Sequence, residues 1–314
     1  MAFDFSQKRF ILAPLAGWTD LPFRQTVKKF GADLTVSEMV SSNALVHNPS
    51  RSYKLYEKSP LENPYSVQLA GSDAGIIARA VEILNAEDGI DIIDLNAGCP
   101  APKVVRSGGG SCLLKTPALL HDLVSTIKKT SNKPLTSVKI RLGFNENNGV
   151  DLAKACEDAG ADFIVVHGRT RAGGFTAPVD YASIAAIKHA LKIPVVANGD
   201  IDSYEKAMAV FEETGADGVM IGRGAMGAPW IFEQLKLTQA EVTIDLKRAI
   251  VLEHFDNMVL FHGAFGVSMF RKHLHRYAKG LPGAATFRNR INYEEDAAQV
   301  REMILEFFRE AAAA

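Results

Sequence analysis

Residue types that do chemistry fall into six short stretches of this 314-residue chain. Gln68 stands alone. Asn96 comes three residues before Cys99, and Lys139 two before Arg141. His167 is followed by Arg169 and Arg171. Asn198-Gly199-Asp200 and Gly222-Arg223-Gly224 close the series. An ordinary thiol is mostly protonated at neutral pH, so Cys99 can serve as a general acid. Nucleophilic work would need a base beside it, and a small buried hydrophobe is the plain alternative. Lys139 and Arg141, two apart, face the same side of a strand. Such a pair costs desolvation unless an anion sits there; the alternative is ion pairing of each with a carboxylate at the surface. Gly199, Gly222 and Gly224 leave backbone N–H groups open to an anion, and Arg223 adds a positive charge. Together they read as a phosphate cradle; the alternative is glycines that merely turn tight loops. His167 can bind a phosphate or a ring edge, act as a base, or sit satisfied in the core. The run Ser107-Gly108-Gly109-Gly110-Ser111 reads as a mobile loop entering a helix, and whether it holds a phosphate is open.

Something must bring these stretches together. Gly31-Ala32-Asp33, Gly89-Ile90-Asp91, Gly160-Ala161-Asp162 and Gly215-Ala216-Asp217 each precede an apolar, β-rich run. A glycine just past a helix takes a left-handed conformation, so each tripeptide marks a helix ending and a strand beginning. Strands are expected at Phe10–Ala13, Leu34–Glu38, Tyr65–Leu69, Ile92–Asn96, Ser137–Arg141, Phe163–His167, Val195–Asn198 and Gly218–Ile221. Near-continuous apolar strands alternating with helices mean a parallel sheet covered on both faces. Eight units predict an α/β fold, a (β/α)8 TIM barrel over residues 1–242. Its active site belongs at the C-terminal strand ends, where the polar stretches lie. An open doubly wound sheet is the rival, but no G-x-G-x-x-G follows the first strand. From residue 243 to 314 the β signal is gone. Helices at Leu246–Phe261, Ala264–Lys279 and Glu294–Glu310, broken at Gly280-Leu281-Pro282-Gly283, predict a small all-helical C-terminal domain.

Composition narrows the class. Hydrophobic residues make up 47% and charged ones 23%, ordinary for a packed globular chain. Three cysteines with no C-x-x-C argue against a disulfide framework or a zinc site, so no metal is expected and a reducing cytoplasm fits. Neither a signal peptide nor a membrane span is expected. The net charge is −1, yet Leu246 to Arg290 hold eight Lys or Arg against two Asp or Glu. That local +6 hints at a polyanionic partner for the C-terminal segment.

Together the motifs resemble the tRNA-dihydrouridine synthases of the bacterial branch, over about Leu12 to Arg290. The matching stretches are Ala13-Pro14-Leu15-Ala16-Gly17 with Thr19-Asp20, Asn96-Ala97-Gly98-Cys99-Pro100, and Lys103-Val104. His167-Gly168-Arg169-Thr170-Arg171, Asn198-Gly199-Asp200-Ile201, Gly222-Arg223-Gly224-Ala225 and Pro229-Trp230 continue them. Arg271-Lys272-His273 and Lys279-Gly280-Leu281-Pro282-Gly283-Ala284 match in the C-terminal segment. The cysteine motif is the most specific. Leu15, Ala97, Gly109 and Tyr181 depart mildly from the family pattern.

The resemblance implies FMN as cofactor and NADPH as reductant in a separate half-reaction, which agrees with the missing dinucleotide fingerprint. It implies that Pro14, Leu15, Ala16, Gln68, Lys139, His167, Asn198, Gly199, Asp200, Gly222 and Arg223 contact FMN. Cys99 would donate the proton to uridine C5. Asn96, Arg141, Arg169, Arg171, Arg271 and Lys272 would meet substrate or tRNA, and the C-terminal helices would hold tRNA. No obligate protein partner is expected. Two alternatives stay open at this level: another FMN barrel acting on a free pyrimidine, and a non-catalytic RNA-binding barrel.

Overall fold

The computed structural model describes residues 3–237 and 241–313. Its strands are β1 (Phe10–Leu12), β2 (Thr35–Val36), β3 (Val40–Ser41), β4 (Tyr65–Ala70), β5 (Ile92–Ala97), β6 (Leu135–Arg141), β7 (Phe163–His167), β8 (Val195–Asn198) and β9 (Gly218–Ile221). All pair in parallel, in the order β1-β9-β8-β7-β6-β5-β4-β2, with β3 also on β4. Asp33 N–H donates to Phe10 O and Leu12 N–H to Leu34 O, both at 2.9 Å, and these bonds join the two ends of the sheet. The expected (β/α)8 barrel is therefore present, with helices around it.

One expected strand is divided. Leu34–Glu38 gives way to β2 and β3, separated by Ser37-Glu38-Met39. Side chains take over the ladder there: the Ser37 hydroxyl accepts from Gln68 N–H at 3.0 Å, and the Glu38 carboxylate turns away to accept from Gly17 N–H. Alternation of apolar residues does not reveal such a substitution.

The Gly-x-Asp tripeptides do more than punctuate. Gly31, Gly89, Gly160 and Gly215 all have positive φ, as their helix-ending position requires. Each following aspartate reaches sideways to the base of a neighbouring strand. Asp33 accepts from Phe10 N–H at 3.0 Å, Asp91 from Tyr65 at 2.8 Å, Asp162 from Thr136 at 2.7 Å and Asp217 from Val195 at 2.7 Å. An N–H at the start of a strand would otherwise lack a partner at the barrel floor. Phe3 and Phe5 pack there on Phe163, and Ile11, Val36, Val165, Val196 and Met220 fill the lower interior. The lower interior is apolar, and the polar residues at the opposite, C-terminal strand ends face the cavity.

The C-terminal helices Ile244–His262, Phe265–Tyr277, Ala284–Ile291 and Ala297–Ala313 build their own core around Phe255, Met258, Phe270, Tyr277, Phe287 and Phe308. Trp230 packs into it from the end of the barrel. The helix Ala284–Ile291 was not expected. It is only eight residues long, and its apolar contacts reduce to a few positions such as Phe287, which stacks on Phe307 at 4.2 Å. A periodic signal needs more turns than that. Among the described residues, no helix is long and apolar enough to cross a membrane, and no cluster of His, Cys, Asp or Glu could hold a metal ion.

Candidate active site

The strand ends open into one cavity of about 640 Å³. This lies within the roughly 300–1,000 Å³ usual for small-ligand sites. Pro14, Leu15, Ala16, Gln68, Asn96, Cys99, Lys139, Arg141, His167, Asn198, Gly199, Asp200, Gly222 and Arg223 all line it. These residues come from the ends of seven strands and meet only because the sheet closes.

A buried polar chain runs across β4, β5 and β6 beneath the cavity. Ser137 Oγ donates to Asp94 at 2.5 Å, Gln68 Nε2 donates to the other Asp94 oxygen at 2.7 Å, and Asn96 Nδ2 donates to Gln68 Oε1 at 2.7 Å. Asn96 Oδ1 then accepts from Cys99 N–H at 2.9 Å. The Cys99 loop is thus fixed from below. Arg141 fixes it from the side, through Nε to Gly98 O at 3.0 Å. The glycine run fixes it from behind. Gly109, Gly110 and Ser111 are buried, and Ser111 N–H donates to Cys99 O at 3.0 Å. A Cβ on Gly110 would lie 2.7 Å from that carbonyl. The run expected to be a mobile loop is instead the packed seat of the cysteine. Cys99 itself is half-buried at the cavity wall; Cys156 is fully buried, and burial pushes its thiol far up.

The other wall is strongly cationic. Lys139 Nζ donates to Asn198 Oδ1 at 2.7 Å, and Asn198 Nδ2 donates to Met220 O at 2.7 Å. Burial, and then Arg141 nearby, drive the Lys139 ammonium down to about 7. Burial, with Arg169 adding repulsion, lowers Arg141 to about 10. His167 is pushed far below its ordinary range, by burial first and then by Lys139, Arg141, Arg169 and Arg223, so its imidazole is neutral at physiological pH. Its buried Nδ1 has no hydrogen-bond partner. Asp200 balances part of this charge: it accepts from both Arg169 and Arg223, and the Arg169 hydrogen bond holds its carboxyl below the usual range. Asp200 also has φ +47°, and Gly199 before it +137°. Such backbone strain collects where a site dictates the geometry.

Four expected residues lie outside the cavity. Arg169 is buried, its guanidinium shared between Asp200 and Ala177 O. Arg171 stacks on Phe144 at 4.9 Å. Arg271 donates to Glu294 O at 2.9 Å, and Lys272 donates to Gly17 O. Conversely, the cavity includes residues that sequence reasoning passed over. Arg276 and Lys279 line its mouth from the C-terminal segment, and both are exposed. Phe175, also exposed, lies 5.1 Å from the Arg141 guanidinium and 5.4 Å from that of Arg223. Spacing of four puts Lys272 and Arg276 along one side of the helix Phe265–Tyr277, and Lys279 follows just past its end, a cationic spacing readable in the sequence.

The profile of the dihydrouridine synthase family matches residues 11–313. The chain belongs to the dihydrouridine synthase family. Members are flavin-dependent oxidoreductases that modify tRNA, so this chain is an enzyme of that class. A probable tRNA-dihydrouridine synthase of Helicobacter pylori is 50% identical over 309 residues, covering 98% of this chain and 94% of its own length. The tRNA-dihydrouridine synthase B of Pseudomonas aeruginosa is 43% identical, covering 96% and 93%. A probable tRNA-dihydrouridine synthase of Rickettsia bellii is 41% identical, covering 95% and 94%. Among solved structures, a chain of the Amycolatopsis orientalis BexX/CysO complex matches with TM-score 0.50 and 19% identity, over 73% of this chain and 86% of that one, a likeness of fold alone. Within the dihydrouridine synthase family, the free-pyrimidine and non-catalytic alternatives fall away.

Proposed function

We propose that this chain reduces the C5–C6 bond of specific uridines in tRNA to 5,6-dihydrouridine, with FMN as cofactor and NADPH as reductant. One observation carries the reading: a thiol, a half-buried lysine and a glycine–arginine cradle share a single cavity. The residues suit a flavin mononucleotide. Gly199, Gly222 and Arg223 would hold its phosphate, with Asp200 orienting Arg223. Lys139 would sit at the anionic edge of the ring, where a cation tunes electronics. The orphaned Nδ1 of neutral His167 would find a polar partner on the cofactor. Pro14, Leu15, Ala16 and Gln68 would complete its walls.

Bound FMN supplies the hydride that uracil C6 accepts; C6 is the electrophilic carbon, far from the C4 carbonyl. Charge then builds on C5 and the C4 oxygen and needs an acid. Cys99 gives its proton to C5 from a loop locked by Asn96, Arg141 and Ser111, so little motion is needed at the moment of transfer. Residues 1–242 act as the catalytic domain and 243–314 as the tRNA-holding domain. Within the latter, Arg276 and Lys279 are the cations open to phosphate at the cavity mouth. NADPH uses the same mouth.

The test is nucleoside analysis by mass spectrometry. Purified protein with FMN and NADPH is incubated with tRNA lacking dihydrouridine. Appearance of dihydrouridine supports the reading; flavin reduction without any dihydrouridine defeats it.

A further inference from the structure

Gly17 sits in the loop between β1 and the helix Leu21–Lys29, just after the cavity-lining residues Pro14, Leu15 and Ala16. It has φ +76°, and both of its backbone polar groups are taken by charged side chains. Its N–H donates to the Glu38 carboxylate, in the break between β2 and β3. Its carbonyl accepts from Lys272 Nζ, which comes from the C-terminal helix Phe265–Tyr277. The next residues are held from the same side. Lys272 Nζ lies 5.4 Å from the Trp18 ring centre, and His273 meets that ring edge-on at 4.8 Å. His262, at the end of the helix Ile244–His262, bonds to Asp20 at 2.9 Å. Thr19 ties the loop back on itself, accepting from Leu15 N–H at 2.9 Å. The C-terminal helices thus touch three of the four residues from Gly17 to Asp20.

We infer that Lys272, backed by His273 and His262, is a positioning residue through which the C-terminal helices set the shape of the barrel's first loop and hence one wall of the cavity. A solvent-facing phosphate ligand would have no reason to be half-buried on a backbone carbonyl. An ammonium donating to a carbonyl in a partly desolvated place makes a strong, directional bond. Glu38 on the other side of Gly17 completes a clamp, so the peptide groups flanking Gly17 are held by opposite charges from two parts of the chain. One turn further along the same helix, Arg276 reaches the cavity mouth. The helix that shapes the wall therefore also borders the entrance.

The consequence rests on the flavin reading of the cavity only in part, because loop order can be measured without any cofactor. Lys272→Met keeps the apolar stem over Trp18 and deletes the donor. In the cofactor-free full chain, amide hydrogen exchange over residues 15–19 should rise by roughly tenfold or more, as expected when a loop loses a charge-assisted tether. Exchange in the core of the helix Ile244–His262 should not change. With Trp230→Phe in both proteins, Trp18 is the sole indole, and its quenching by acrylamide should increase in the Lys272→Met variant. FMN binding to the same protein should weaken about tenfold. Lys272→Arg should restore most of the loop protection. If Lys272→Met does not fold, Lys272→Gln, neutral but still a donor, should show a smaller rise in exchange over the same residues. Unchanged exchange and quenching in the variant overturn the inference, and a fall in tRNA affinity alone would mark Lys272 as a phosphate ligand instead. If exchange rises but neither protein takes up flavin, the inference stands and the flavin reading fails.

Discussion

Lys139 reaches over β7 to donate to Asn198 Oδ1 at 2.7 Å, joining β6 to β8 across the cavity wall. With burial and Arg141 against it, the ammonium is pushed down to about 7, well below an ordinary lysine. An anion bound there would raise it again. Between about pH 7 and 10 the loaded site then holds more protons than the empty one. FMN binding at pH 8.5 should therefore take up protons, and affinity should weaken as pH rises through that window. Titration calorimetry in buffers of different ionisation enthalpy measures the uptake directly. Lys139→Met should remove it; uptake that persists in this variant would place the proton elsewhere.

Arg223 is half-exposed and shares Asp200 with Arg169. Arg223→Ala should leave the fold intact, because Arg169 still holds Asp200, and should weaken flavin retention. Loss of one charge-assisted hydrogen bond to phosphate is worth roughly 1.5–3 kcal/mol, or about ten- to a hundredfold in affinity. Dialysis followed by visible spectroscopy is sufficient. Full flavin content after dialysis would remove Arg223 from the cradle.

Cys99→Ala should bind flavin and accept electrons from NADPH normally. Reoxidation of the reduced protein by dihydrouridine-free tRNA should slow by about 10²–10⁴-fold, the usual contribution of a positioned acid. Stopped-flow absorbance follows the step. Cys156→Ala, far from the cavity in the core of the helix Gly149–Asp158, should leave the rate nearly unaltered. A near-normal rate in the Cys99 variant would reduce the thiol to a packing residue.

Arg276→Ala and Lys279→Ala should each weaken tRNA binding. The log–log salt dependence should flatten by roughly 0.7–0.9 for each phosphate that is no longer neutralised. Binding isotherms at several salt concentrations give the slopes. A double variant with wild-type slope would move the RNA-binding surface away from the cavity mouth.

Breaking the buried Arg24–Glu62 pair should cost stability rather than chemistry. Both side chains are fully buried, with Nε–Oε1 at 2.7 Å, and Arg24 also donates to Thr19 O at 2.8 Å. Glu62→Gln would leave the guanidinium short of a counter-charge, a loss of about 3–5 kcal/mol. Chemical denaturation of the two proteins tests this; equal midpoints and slopes would contradict it.

Much of the architecture was legible in the sequence because its signals are local. A left-handed glycine after a helix, an apolar run after it and a polar residue at the end of that run all lie within a few neighbouring positions. They located the strands and the residues Gln68, Asn96, Cys99, Lys139, His167, Asn198 and Arg223 at the strand ends. Family motifs added Pro14, Leu15 and Ala16. What sequence left undecided was the direction each cation faces. Arg169, Arg171, Arg271 and Lys272 are chemically equivalent to Arg276 and Lys279 as charges. Only the docking of the C-terminal helices on the barrel turns Lys272 onto Gly17 and Arg276 and Lys279 toward the cavity. The glycine run behind Cys99 is similar: as sequence it signals freedom, but folded it is the only residue type that fits beneath the Cys99 carbonyl. The physical reason is the same in each case. Backbone preference is set by near neighbours, whereas the burial and pairing of a side chain are set by atoms beyond its own element, from about ten positions away for the glycine run to more than two hundred for Lys272, and these become neighbours only when the chain folds.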